Sequence, residues 1–207
     1  TPVSPSFKLL AYALILLRKD GHPCVFYGDL YGIRANVDNP MTPSCNGHLP
    51  ILTRARKLYA YGEQQDYFNQ PNCIGSLHFF SPGYPAPLLR TAIYPNRSNH
   101  DTGFVRYGNA RHLSGLACVI SNAGPGVQRM FVGQRHAHKE WTDLIHHNTK
   151  PVLIDKNGYG HFRVQAMSVS VWVDSATVDR DGLKTDLYVY PSLLRPVRST
   201  PYSTADL

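Results

Sequence analysis

The chain has 207 residues, 43% of them hydrophobic, and a formal net charge of +7. That composition suits a folded globular chain with room for one ordinary domain or one and a half. The longest apolar run, Leu9–Leu17, falls well short of the roughly 18 residues of a membrane span. Lys and Arg are spread out rather than gathered into a patch, so neither a membrane nor nucleic acid is expected as a partner.

A first helix is predicted from Ser4 to Gly21. Ser4 suits the N-cap, Pro5 the first helical position and Gly21 a left-handed C-cap. Phe7, Leu10, Ala11, Leu14 and Leu17 recur at helical spacing, with Ile15 and Leu16 widening the face. Arg18 and Lys19 fall in the last turn, where they favour the helix dipole. A helix this apolar must be covered on more than one side. Cys24–Tyr27 is a short apolar run between Pro23 and Gly28, the pattern of a buried parallel strand followed by a tight turn at Gly28. A loop from Gly32 to His48 leads to a second helix, about Pro50 to Tyr61, stopped by Gly62. Ile51, Ala55, Leu58 and Tyr59 give its apolar stripe; Arg54, Arg56 and Lys57 give its solvated side. Helix, strand, helix is a piece of an α/β repeat, and a lone strand needs neighbours to pair its backbone.

After Gly62 the period changes. Strands are predicted at Phe104–Tyr107, Leu116–Ser121, Arg129–Val132, Trp141–Leu144, Pro151–Ile154, His161–Val164 and Ser168–Val173. Turn signals such as "NAGPG" and "KNGYG" separate them, as in an antiparallel sandwich. Trp141 and Trp172 sit in alternating patterns that assign them to its core rather than to a sugar-stacking surface. Residues from about Ser76 to Thr102 hold several prolines and no clean period, and the tail after Asp174 is polar, with one possible strand at Asp186–Tyr190.

His136 and His138 share one face of an extended chain, with His146 and His147 nearby, but a zinc site wants further ligands at short range; exposed turn residues are expected. Cys24, Cys45, Cys73 and Cys118 have no paired spacing, which argues for free thiols in a reducing, cytoplasmic compartment. A chain opening on Thr1 reads as a fragment, which leaves secretion open.

Six stretches carry a resemblance: "AYALILLRKDGHPCVFYGDLYG", "RARKLYAYGEQQDYF", "GLACVISN", "RMFVG", "EWTDL" and "SVSVWV". Together they resemble the C-terminal part of α-amylases of glycoside hydrolase family 13, of the liquefying bacterial type and its intracellular fungal relatives. The resemblance covers most of residues 5–75 and 104–173. It implies that residues 1–62 are the last helix–strand–helix unit of a (β/α)8 TIM barrel. Residues 63–174 would be an antiparallel Greek-key β-sandwich, interrupted by an insertion at about 76–103, and residues 175–207 a polar tail.

The family cleaves internal α-1,4-glucosidic bonds of starch and glycogen with retention, using two carboxylates roughly 5 Å apart. The resemblance places these, and a third Asp in an Asn-His-Asp motif, upstream of Thr1. The Asn-His-Asp at Asn99–Asp101 lies downstream of the second helix and inside the insertion, so Asp101 is a chance match. No catalytic residue is expected in this chain, which alone should be inactive. Its implied partners are α-1,4-glucan, through the parent enzyme, and the upstream barrel. In a barrel enzyme the end of a strand is the functional face. Asp29, Tyr31 and Arg34 are therefore candidate substrate contacts, with Asp38 beyond them; for Asp29 the alternative is a backbone hydrogen bond at the strand end.

No cofactor is expected here. Calcium would belong to the parent through upstream ligands, because the positions matching one family site are Pro71, Asn72 and Asn122, poor ligands for that ion. Two alternatives stay open: a non-catalytic glucan-binding sandwich, or a non-functional gene remnant.

Overall fold

The computed structural model describes residues 3–33, 42–68 and 101–177. Helix α1 spans Pro5–Leu17 with Pro at its start. Ser4 stands at the N-cap, but its hydroxyl bonds Ser6 Oγ at 3.0 Å instead of the helix backbone. The helix ends before the predicted Gly21: Arg18 turns extended, and Arg18 and Lys19 lie outside the last turn. The reason lies elsewhere in the chain. Arg56 Nη1 donates to the carbonyls of Leu16 (2.8 Å) and Arg18 (2.9 Å), and Arg106 Nη1 donates to that of Leu17 (3.1 Å). Two imported guanidinium groups thus satisfy carbonyls that a helix end leaves open.

The strand expected at Cys24–Tyr27 is not formed. Residues 22–26 are irregular and Tyr27–Tyr31 make a short helix, α2. A strand needs a neighbour for its ladder, and no described strand lies beside it. Gly28 sits inside α2 rather than in a turn; a Cβ there would come within 2.6 Å of Ile33 Cδ1. Helix α3 spans Leu49–Leu58 and buries Leu49, Leu52 and Ala55. Of its supposed solvated side, Arg56 is drawn inward by the carbonyls of α1.

Eight strands follow among the described residues: β1 (Gln64–Tyr67), β2 (Asp101–Arg106), β3 (Leu116–Ser121), β4 (Gly126–Phe131), β5 (Glu140–Asp143), β6 (Val152–Leu153), β7 (Tyr159–Val164) and β8 (Ser168–Asp174). They form two antiparallel sheets, β1-β2-β3-β8-β5-β6 and β4-β7. The last strand returns to fill the gap between β3 and β5. The expected sandwich is present. Strand β2 begins at Asp101 rather than Phe104, pairing Asp101 with Ser121, Thr102 with Ile120 and Gly103 with Val119.

The core between the sheets holds Val105, Ala117, Val119, Met130, Val132, Trp141, Val152, Ile154, Phe162, Val164 and Trp172. Both tryptophans are fully buried, as the alternation predicts. Strand β8 departs from the surface alternation that "SVSVWV" suggests, because every residue in it is buried. Its Ser170 and Trp172 face β7: Ser170 Oγ donates to Arg163 O at 2.6 Å, and Trp172 Nε1 donates to Ser170 Oγ at 2.9 Å. Val169, Val171 and Val173 face the other way, where α1 packs on β3 and β8. Helices on one face and a second sheet on the other leave no solvated side. The strand expected at Asp186–Tyr190 and the tail beyond residue 177 lie outside the described residues.

Candidate functional site

The end of the expected strand at Cys24–Tyr27, with the loop after it, is the predicted place for substrate contacts. Asp29, the third residue of α2, is 6% exposed. Its Oδ1 accepts from Lys8 Nζ (2.5 Å) and Ser44 Oγ (2.6 Å), and its Oδ2 from Tyr12 Oη (2.7 Å). Its backbone carbonyl also takes Ser44 N–H at 2.8 Å. Burial alone would raise the Asp29 pKa; the bonds from Lys8, Ser44 and Tyr12, with the charge on Lys8, outweigh it and hold the carboxyl below its ordinary value. Tyr12 is pushed up to about 12 by burial and then by its bond to Asp29. The cluster ties α1, α2 and the Ser44 turn together. Tyr31, 38% exposed, ends α2 with its ring tilted against Tyr27 at 4.9 Å. Arg34, with Asp38, lies outside the described residues.

Asp29, Asp143 and Asp174 are the buried carboxylates among the described residues. Asp143 accepts from the backbone of Ile145 (3.1 Å), Val171 (3.0 Å) and Asn148 (3.1 Å) and from Asn148 Nδ2 (3.1 Å). Burial still prevails, and its pKa is raised. Asp174 takes Lys139 Nζ at 2.9 Å and Ala176 N–H at 3.0 Å. All three are spent on holding turns and helices. Asp101 contributes backbone pairing to β2.

The histidines divide. His138 and His146 are exposed, as expected for turn residues, each at a left-handed φ (+63° and +61°). His136, expected to be exposed, is 2% exposed. It sits edge-on to Trp141, ring centroids 5.1 Å apart, with Nδ1 3.4 Å from Asp174 Oδ2. Burial, aided by Arg135 and Lys139, drives its pKa down to about 4 against the pull of Asp174. The "HAH" spacing missed this because a 3-10 turn at Gln134–His136 replaces the extended chain that alternation assumes. His147 is part-buried and meets His48, 4.9 Å between centroids. Among the described residues no three His, Cys, Asp or Glu side chains gather as a metal site would require. Asn122 is exposed; Pro71 and Asn72 lie outside the described residues.

A half-exposed row of rings runs across the sandwich: Tyr107–Phe131 at 6.2 Å and Phe131–Tyr159 at 5.1 Å, tilted to one another. Arg129 lies 3.8 Å over Tyr159, so that ring face is already taken. An opening of about 810 Å³ runs along the outer side of α1 between Val3, Phe7, Ala11, Leu14, Ile15 and Pro23. Ile15 (45%) and Val3 (48%) are exposed in it, and Phe26 (55%) and Tyr27 (65%) are exposed at the start of α2.

Fold and site together define an antiparallel β-sandwich with a helical segment clamped to its larger sheet and an open apolar helix face. No family model matches the chain. Individual proteins do. It is 37% identical over 177 residues to an α-amylase of Geobacillus stearothermophilus, covering 84% of this chain and 26% of that protein. It is 36% identical over 169 residues to a glucan 1,4-α-maltohexaosidase of Bacillus sp. (strain 707), covering 81% and 26%. A cytoplasmic α-amylase of Escherichia coli (strain K12) is 34% identical over 182 residues, covering 83% and 30%. The chain is a homologue of the C-terminal portion of α-amylases, and it spans between a quarter and a third of their length.

Proposed function

We propose that the chain is the C-terminal portion of an α-amylase that cleaves internal α-1,4-glucosidic bonds of starch or glycogen with retention, and that it is inactive alone because the catalytic carboxylates lie in the preceding barrel. The observation that carries this is the likeness to α-amylases over four-fifths of the chain. Two features support it. Retaining hydrolysis needs two carboxylates facing one sugar, and the buried carboxylates here are committed to protein donors. The apolar outer side of α1, with Phe26 and Tyr27, is the kind of surface that marks a packing partner; the first part of the barrel is that partner, and Cys24–Tyr27 becomes its last strand once neighbours are supplied. In the substrate cleft Tyr31 and Arg34 meet glucan from behind, while Asp29, held by Lys8, Tyr12 and Ser44, fixes the start of their loop. Calcium, where the parent binds it, uses ligands outside this chain. The E. coli relative is described as cytoplasmic, and the free thiols of Cys24, Cys45 and Cys118 suit that compartment.

Residues 76–103 are, in the same reading, an insertion. A Cβ on Gly103 would meet Met130 Sδ at 2.7 Å and Cys118 O at 3.0 Å, so that position in β2 favours glycine unless the Met130 side chain shifts. With 76–103 removed, Gly75 takes the place before Phe104 and meets that preference. Ile74 takes the place of Thr102, whose buried Oγ1 has no hydrogen-bond partner. The segment is thus dispensable to the strand it interrupts.

The test is a chimera. The N-terminal three-quarters of the G. stearothermophilus enzyme is joined to this chain at the matching position, with and without 76–103, and assayed on starch for reducing ends. Activity from the chimera lacking 76–103, and none from this chain alone, is the expected result. Hydrolysis by this chain alone, or soluble chimeras that bind but never cleave starch, would overturn the reading.

A further inference from the structure

His48 and His147 come from separate parts of the chain. His48 immediately precedes α3; His147 stands in the turn after β5. Their rings meet edge to face, 4.9 Å between centroids at an interplanar angle of 73°. Each ring nitrogen Nδ1 faces a backbone carbonyl: His48 Nδ1 lies 3.1 Å from Cys45 O, and His147 Nδ1 lies 3.2 Å from Val169 O, with Ser168 Oγ at 2.8 Å. A carbonyl oxygen only accepts, so each Nδ1 carries the proton in the neutral ring and Nε2 is bare. Acid therefore adds a proton at both Nε2 atoms, and two neutral rings in contact become two cations.

We propose that this histidine pair is an acid-sensitive latch that holds the start of α3 against the sandwich when neutral and releases it when both rings are charged. The groups facing His48 set the balance. On its own segment it meets the Cys45 carbonyl. Across the contact it meets His147, and it feels the charges of His146 in the same turn and of Asp143 at the end of β5. Asp143 is the one anion of this set, and its two oxygens are already shared among four donors, so it offsets two new charges only in part. Burial and then His147 both favour the neutral form of His48, against the Cys45 bond and Asp143. Like charges at this distance in a part-buried site repel far more strongly than in water.

Hydrogen exchange on the full 207-residue chain reads the latch directly. The probes are the α3 amides from Leu52 to Ala55, with the β3 and β8 amides as an internal standard. Between pH 7.5 and 5.0 the α3 protection factors should fall roughly tenfold or more relative to the standard. His147→Asn and His48→Gln each remove one ring of the contact, so each variant should show less than about a threefold fall; two variants guard against one failing to fold. An undiminished fall in both variants, or no fall in the wild-type chain, would overturn the proposal.

Discussion

Replacing Asp29 by alanine tests whether the loop after α1 is held as described. The substitution removes the acceptor of Lys8, Ser44 and Tyr12 and leaves the Tyr12 hydroxyl without that partner. Lys8 and Asp29 side chains are 21% and 9% exposed, so the pair is mostly shielded from water. Breaking a buried pair by removing one partner costs about 3–5 kcal/mol. The remaining exposure of Lys8 points to the lower half, about 3–4 kcal/mol. Asp29→Asn keeps the shape and the acceptor oxygen and should cost about 2 kcal/mol, the worth of bonds to a charged group. Urea unfolding followed by the helical circular dichroism signal measures both. The pH dependence gives a second check. The folded-state pKa is depressed, so the carboxylate's contribution is complete above the unfolded value near 4 and is lost as pH falls through the folded value. The gap between wild type and Asp29→Ala should therefore close in acid. An Asp29→Ala chain within about 0.5 kcal/mol of wild type at pH 7 would refute the cluster as a structural tie and return Asp29 to the list of free substrate contacts.

Deleting residues 76–103 should leave the melting temperature equal to or above that of the full chain; a clear fall in calorimetry would show that the segment contributes to the fold. Trp172→Ala, which empties the centre of the core, should cost about 3–5 kcal/mol in urea unfolding. His136 has a folded pKa of about 4 against an unfolded value near 6.5, so its contribution is complete above pH 6.5 and lost as pH falls toward 4; His136→Leu should flatten that part of the stability profile. The exposed side of α1 should make the chain self-associate, and Ile15→Glu should shift it toward monomer in analytical ultracentrifugation.

The sandwich was legible because its strands carry period-two patterns and its turns carry Gly and Asn. Leu116–Ser121 was placed to the residue, and the burial of Trp141 and Trp172 followed from alternation. The double covering of β8 was hidden, since serine is polar in sequence yet spends its hydroxyl on Arg163 O. Local sequence also could not end α1 at Leu17: the groups that stop it, Arg56 and Arg106, arrive from α3 and β2. The Asp29 cluster was half visible. Asp29 stood out beside Gly28, but Lys8, Tyr12 and Ser44 carry no motif, and only the folded chain brings them to it. His48 likewise carries no local signal, since its partner is almost a hundred positions away.

The clamp on the end of α1 bears on how this portion can be cut and recombined. Arg106 belongs to the sandwich, is 5% exposed, and donates to Leu17 O and Gly62 O in the helical part. A graft that joined this sandwich to a foreign body at Gly62 would leave the buried Arg106 guanidinium without the Leu17 carbonyl it meets. The transplantable piece is therefore larger than the β-sheets suggest: α1 and α3 must travel with them, and the workable seam lies ahead of Pro5.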